Sequence, residues 1–442
     1  MMGVPPSRAL PRLRPRVLCA AVGVCAAVLA SACGAKADRP RGPQLGSGKG
    51  APTLSQVSEL LDRHGRAVMN RSTASFLADV DGSAASATFR RQQTAEIAAL
   101  APVPLQSWAY AVSAPVTDAA ATAAAAKRLV APALIVHVTL TYGLQRVDSL
   151  PASHDLWWTF VTRRGHVYLA GDDAMAAIGG ASWRGPWDFG PLVVEQGTSS
   201  MVLGHLPDAD ALPAIARAVD AAVPVVTRIW GAGWAQQVAV IVPASAAEFA
   251  ALGGQGTAIS DVSAATVFES PNVATGAGSV ARVLIDPAAL RRLTPVGEQI
   301  VLQHELTHIA TAASTGPASP RWLIEGFAEY VGNLGSGQPV RVAAAELRQQ
   351  IDRGSAPTSL PTDAAFTGDG VNPAQVYEQS WLACRLIAAR AGEDQLVRFY
   401  QLVGASADTQ PHAVAAAMQS VLHESTSAFV TQWRAYLTTQ LR

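Results

Sequence analysis

The spacing of apolar positions changes twice along the chain. Leu54, Val57, Leu60, Leu61, Val68 and Leu77 recur at helical intervals and predict one or two opening helices. The period then shortens. Residues 105–113, 133–142, 155–163 and 166–171 read as strands, and Arg164-Gly165 between the last two reads as a hairpin turn. Trp183, Gly185-Pro186, Trp187 and Gly190-Pro191 then mark a turn-rich linker over 181–197. Beyond it, 200–205, 237–242, 264–269 and 280–286 are expected strands. Between them, 208–230 is a helix with Pro224 expected to kink it, and 246–252 is a short helix. From Thr294 onward the helical period dominates, with helices expected through both histidines of the 301–308 run and over 340–352, 376–390, 396–403 and 413–441.

The first 53 residues follow neither pattern. Arg8, Arg12, Arg14 and Arg16 precede a short apolar run, 17–29, and Ala30-Ser31-Ala32-Cys33 follows it. This is the arrangement of an export signal over 1–32, with lipidation at Cys33 expected and ordinary cleavage after Ala32 as the alternative. The Gly- and Pro-rich stretch over 33–53 reads as a tether. The protein is therefore expected to be exported, on the outer face of the cell membrane through a lipid at Cys33, or secreted if not lipidated. Of the four cysteines, Cys19, Cys25, Cys33 and Cys384, two leave with the signal, so no disulfide framework is expected. The remaining length of about 390 residues suits two domains of roughly 100–200 residues, divided near Glu195 into 54–195 and 196–442. Hydrophobic residues make up 49% and charged residues 15%, with a formal net charge of zero, so nothing points to nucleic acid.

The chemistry concentrates between Val301 and Tyr330. His304-Glu305-Leu306-Thr307-His308 places two imidazoles one helical turn apart, where they can share a metal ion. Thr294-Pro295 suits the start of that helix, and Ser314-Thr315-Gly316-Pro317 its end. Ser319-Pro320 starts a second helix carrying Glu325 and, four residues on, Glu329. Packed as a hairpin, the two helices bring Glu325 to the histidines as a third ligand of one Zn2+, with a position open for water. Glu305, one position round, can face that water. Glu329 can accept the remaining ring N–H of a histidine.

These residues, with Trp322-Leu323-Ile324-Glu325-Gly326-Phe327-Ala328-Glu329-Tyr330, resemble the gluzincin metallopeptidases, and most closely the peptidase MA-like domains of exported bacterial proteins. The resemblance covers roughly 280–400. It implies that His304, His308 and Glu325 hold zinc, that Glu305 is the base, and that the substrate is a peptide or protein. It also implies that the strand just before the zinc helix, with Arg282, Val283 and Leu284, is the edge that receives substrate backbone. Tyr377, in a Tyr-x-x-Ser pattern with Ser380, is the candidate for stabilising the oxyanion. Zinc aminopeptidases carry an acid on their substrate edge, where this chain has Gly276-Ala277-Gly278-Ser279, so internal cleavage is expected.

The fold class expected is α+β. A cone-like N-terminal domain of helices and a curved antiparallel sheet, resembling the nuclear-transport-factor-like domains, precedes a metallopeptidase domain with a small edge sheet, a zinc-binding helix pair and a helical C-terminal subdomain. His137, His154, His166, Asp172 and Asp173 read as scattered polar residues, not a second site. His205 and His412 are eligible as further donors, with nothing to select either. The alternative function is a non-enzymatic envelope lipoprotein that binds a partner on a peptidase-like scaffold.

Overall fold

The computed structural model describes residues 50–253, 263–269, 280–367 and 372–442. The expected signal, the tether up to Lys49, Cys33 and the Gly276–Ser279 segment lie outside the described residues. Among the described residues, no helix is long and apolar enough to cross a membrane.

Three helices open the fold: α1 (Leu54–Met69), α2 (Thr73–Ala78) and α3 (Ala87–Ala99). The first is capped by Thr53, whose side chain and Gln56 exchange the reciprocal bonds of a capping box. Strand β1 (Leu105–Pro115) follows, then α4 (Ala119–Leu129), β2 (Ala133–Leu144), β3 (Ala152–Arg163) and β4 (His166–Gly171). The four strands form an antiparallel meander in chain order. One face of it packs on the opening helices through Leu60, Phe76, Val138 and Phe160.

The second sheet comprises β5 (Leu192–Gln196), β6 (Ser200–His205), β7 (Val238–Val242), β8 (Ala264–Glu269) and β9 (Val280–Ile285), in the order β5-β6-β7-β9-β8. Helix α5 (Leu212–Trp230) connects β6 to its parallel neighbour β7, and α6 (Ala246–Gly253) follows β7. Strand β5 stands where the sequence reads as linker; its pairing with β6 supplies order that five residues lack alone. Helix α5 runs through Pro224 as one element.

Alternation divides this sheet between two cores. Val202, Val240 and Val283 face α5 and the later helices, while Met201, Leu203, Ala239 and Val280 join the core of the N-terminal unit. The two halves of the chain are thus packed on opposite faces of one sheet.

The rest is helical: α7 (Pro287–Leu290), α8 (Pro295–Thr311), α9 (Arg321–Gly332), α10 (Val340–Ala343), α11 (Ala345–Asp352), α12 (Pro373–Ala391), α13 (Glu393–Gly404), α14 (Gln410–Leu422) and α15 (Thr426–Leu441). The helix expected over 340–352 is broken at Ala344, which leaves helical geometry at ψ 47.

The substrate-edge assignment of Arg282, Val283 and Leu284 is corrected. They lie on β9, which is paired on both sides, parallel to β7 and antiparallel to β8. Its hydrogen-bonding groups are taken up by neighbours, so it offers no edge. Among the described residues the sheet ends instead at β8. Arg282 is buried at 1% exposure, and both its Nη atoms bond Asp148, at 2.6 and 2.8 Å. Its guanidinium is taken up within the fold, by Asp148 and by Glu269 at 3.3 Å.

Candidate metal centre

Helix α8 begins where Thr294 caps it: the threonine hydroxyl accepts the Gly297 N–H at 3.1 Å, and Pro295 occupies the first turn. Helix α9 begins at Arg321, whose N–H is accepted by Asp363 at 2.9 Å. The expected cap, Ser319, instead accepts the Gly316 N–H within the preceding turn. Two close approaches set the depth of α9 in the core. A Cβ on Gly332 would stand 2.9 Å from the Ile300 carbonyl of α8, and one on Gly326 would stand 2.4 Å from the Ser380 carbonyl of α12. Glycine alone admits these contacts.

The packing brings His304, His308 and Glu325 together. Nε2 of His304 and Nε2 of His308 are 3.0 Å apart, and Oε2 of Glu325 is 3.5 Å from each. All three residues are buried, and Glu325 Oε2 has no hydrogen-bond partner. Atoms bound at the usual zinc distances of about 2.0–2.1 Å in a tetrahedron stand about 3.3–3.4 Å apart. The observed triangle matches that spacing, so the donor set fits one zinc ion.

The electrostatics agree. Burial alone would keep His304 neutral, yet the carboxylates of Glu325 and Glu329 outweigh it and raise its pKa to about 10. Burial would push Glu325 up, but His308 and His304 outweigh it and hold it at about 2. The centre of the triangle is therefore a place where positive charge is favoured. Glu329 Oε1 stands 3.3 Å from His304 Nδ1, in ion-pair reach though off the line of a good hydrogen bond. Its other oxygen accepts from Asn333 at 3.2 Å.

Glu305 lies beside this triangle at 1% exposure. Its Oε2 accepts from the hydroxyl of Thr266 at 2.7 Å, and the same hydroxyl is 3.0 Å from its carbonyl oxygen. Thr266 is on β8 and nothing in the local sequence marks it, because the contact joins residues 39 apart. Tyr377, on α12, has its ring centroid 6.3 Å from that of His304. Burial, with Glu325 next, pushes its phenol well above the ordinary range, so it is a neutral O–H beside the triangle. Ser380 donates to the Val376 carbonyl at 2.8 Å, a bond internal to the helix. Arg321 brings a guanidinium to 3.9 Å from Glu325 Oε1 and stacks over Phe366.

The remaining polar residues do not assemble into a second centre. His205 bonds Glu248 at 2.9 Å, buried, and His412 is exposed. His137 meets Asp155, Asp172 meets Arg184, and Asp173 meets Arg128. His154 stacks on Trp183 at 3.6 Å and reaches Glu269 at 3.4 Å. Cys384 is fully buried and unpaired among apolar residues.

No protein-family profile matches the chain, and no curated protein matches it. Solved structures similar to it include zinc metallopeptidases. One is a two-domain M1 zinc metallopeptidase bound to L-tryptophan, with 15% identity and a TM-score of 0.30 over 62% of this chain. The match spans 58% of that enzyme's length, less than two thirds. Another is an M1 zinc metallopeptidase of Deinococcus radiodurans bound to a Tyr-Ser-Ala substrate, with 16% identity and a TM-score of 0.30 over 75% of this chain and 71% of that one.

Proposed function

We propose that this protein is an exported zinc-dependent metallopeptidase that cleaves peptide bonds within chains. The observation that carries the reading is the triangle of His304, His308 and Glu325, with Glu305 beside it on the same helix. A zinc ion held there would lower the pKa of water towards about 7 and polarise a peptide carbonyl. Glu305 uses Oε2 on Thr266, which leaves Oε1 to take a proton from the attacking water and pass it to the departing amine. The neutral phenol of Tyr377 donates to the oxygen that gains negative charge. Strand β8 has no partner on its outer side among the described residues, and its open edge suits extended substrate backbone. In this reading, residues 1–32 are a signal, and Cys33 carries the lipid that anchors the chain to the membrane through the 33–53 tether.

The test compares the soluble part of the protein with its Glu305→Gln variant. Zinc is counted per chain, and cleavage of unstructured casein is followed on both. One zinc in each, with activity in the parent alone, is expected; full activity in Glu305→Gln would remove Glu305 from the mechanism. No zinc in either would remove the central claim.

A further inference from the structure

We propose that Thr266 is a positioning residue for the base: its hydroxyl fixes the Glu305 carboxylate from across the sheet edge. The inference rests on reading Glu305 as the base. On β8 the even positions face the helices. Ala264 belongs to the helical core, and Thr266 pairs with Val283, which belongs to it too. Thr266 is buried at 3% exposure, so its hydroxyl must find its acceptor within the protein. Two acceptors are in range, both on Glu305. The carbonyl, at 3.0 Å, already sits in the ladder of α8, and the carboxylate oxygen is nearer, at 2.7 Å. A hydroxyl that needed only a partner would be satisfied by the carbonyl. The shorter bond to Oε2 does something further. It ties down one carboxylate oxygen and so limits rotation about the last side-chain torsion of Glu305.

Strand β8 is itself braced three residues on. Glu269 faces the N-terminal unit, accepts from the Tyr142 phenol and lies 3.3 Å from Arg282. The threonine is thus carried on a strand whose end is held by the other half of the chain.

The test uses the full soluble protein with Thr266→Val, which keeps the shape and removes the hydroxyl, and Thr266→Ser, which restores it. For peptide cleavage, kcat in Thr266→Val should fall about 10- to 100-fold, the cost of a base held about 1 Å out of place. KM and zinc stoichiometry should be unchanged, and Thr266→Ser should recover most of kcat. In a crystal structure of metal-free Thr266→Val, the Glu305 carboxylate should leave its parent position. A carboxylate that stays in place, or kcat that stays at the parent value, overturns the proposal. So does loss in Thr266→Ser equal to that in Thr266→Val, which would mark a packing role. If Thr266→Val does not fold, Thr266→Ala gives the same comparison against Thr266→Ser. Adding Thr266→Val to Glu305→Gln separates the two readings. If Glu305→Gln alone is fully active, the base is misassigned. If it is inactive and Thr266→Val lowers its residual rate further, Thr266 acts through some other group.

Discussion

The phenol oxygen of Tyr142 lies 3.0 Å from both carboxylate oxygens of Glu269, joining strands of two different sheets across 127 residues of chain. The Glu269 side chain is only 8% exposed. Burial would raise its pKa, but Arg282 outweighs it and keeps the carboxylate charged. A bond to a charged acceptor in such surroundings is worth about 1.5–3 kcal/mol. Tyr142→Phe should therefore lower unfolding free energy by about that amount, read from urea denaturation followed by tryptophan fluorescence. A loss well under about 0.5 kcal/mol would show that Arg282 and His154 suffice to hold Glu269.

Glu329 stands beside a histidine that would hold the metal. With its Oε1 beside His304 Nδ1, it favours the tautomer whose Nε2 lone pair points at the triangle. Glu329→Gln should leave the fold intact, since Asn333 can still bond its carbonyl. Zinc affinity should weaken about 10- to 100-fold, measured by competition with a chelating dye. Unchanged affinity would mean that burial alone orients the ring.

Glu378 makes stability depend on pH. Burial pushes its carboxyl up from 4.5 to about 8, although the backbone N–H groups of Leu347 and Glu346 favour the charged form. The folded protein holds a proton there that the unfolded chain gives up. The contribution is full below 4.5 and is lost as pH rises through about 8. Glu378→Gln cannot titrate, so the decline in stability across that window should flatten. Urea midpoints at its two ends check this, and parallel slopes in the two proteins would contradict it.

How far these features were legible depends on the reach of the interaction. The grouping of His304, His308 and Glu325 was legible because two of its members share one helix turn and the third follows a marked helix start. Local rules connect all three. The strands at 264–269 and 280–285 were legible as strands for the same reason. Their order in the sheet was not, because nothing local says that the later strand pairs inward and the earlier one closes the edge. Thr266 was missed with it. Helix α4 was missed because its run of alanines gives no contrast between faces, and its end is fixed by contacts of Leu129 in a small core with Ile135 and Val161. Arg282 reads as a residue of a substrate edge until Asp148, 134 residues earlier, is seen beside it.

That last separation bears on the order of events during synthesis. Asp148 is made well before Arg282, and domains commonly fold as they emerge, first half first. The acid can rest in water at the surface of the finished first unit until the later sheet arrives with its guanidinium. Each charge stays in water until the two units meet, so pairing and burial of Arg282 and Asp148 coincide in one step of assembly.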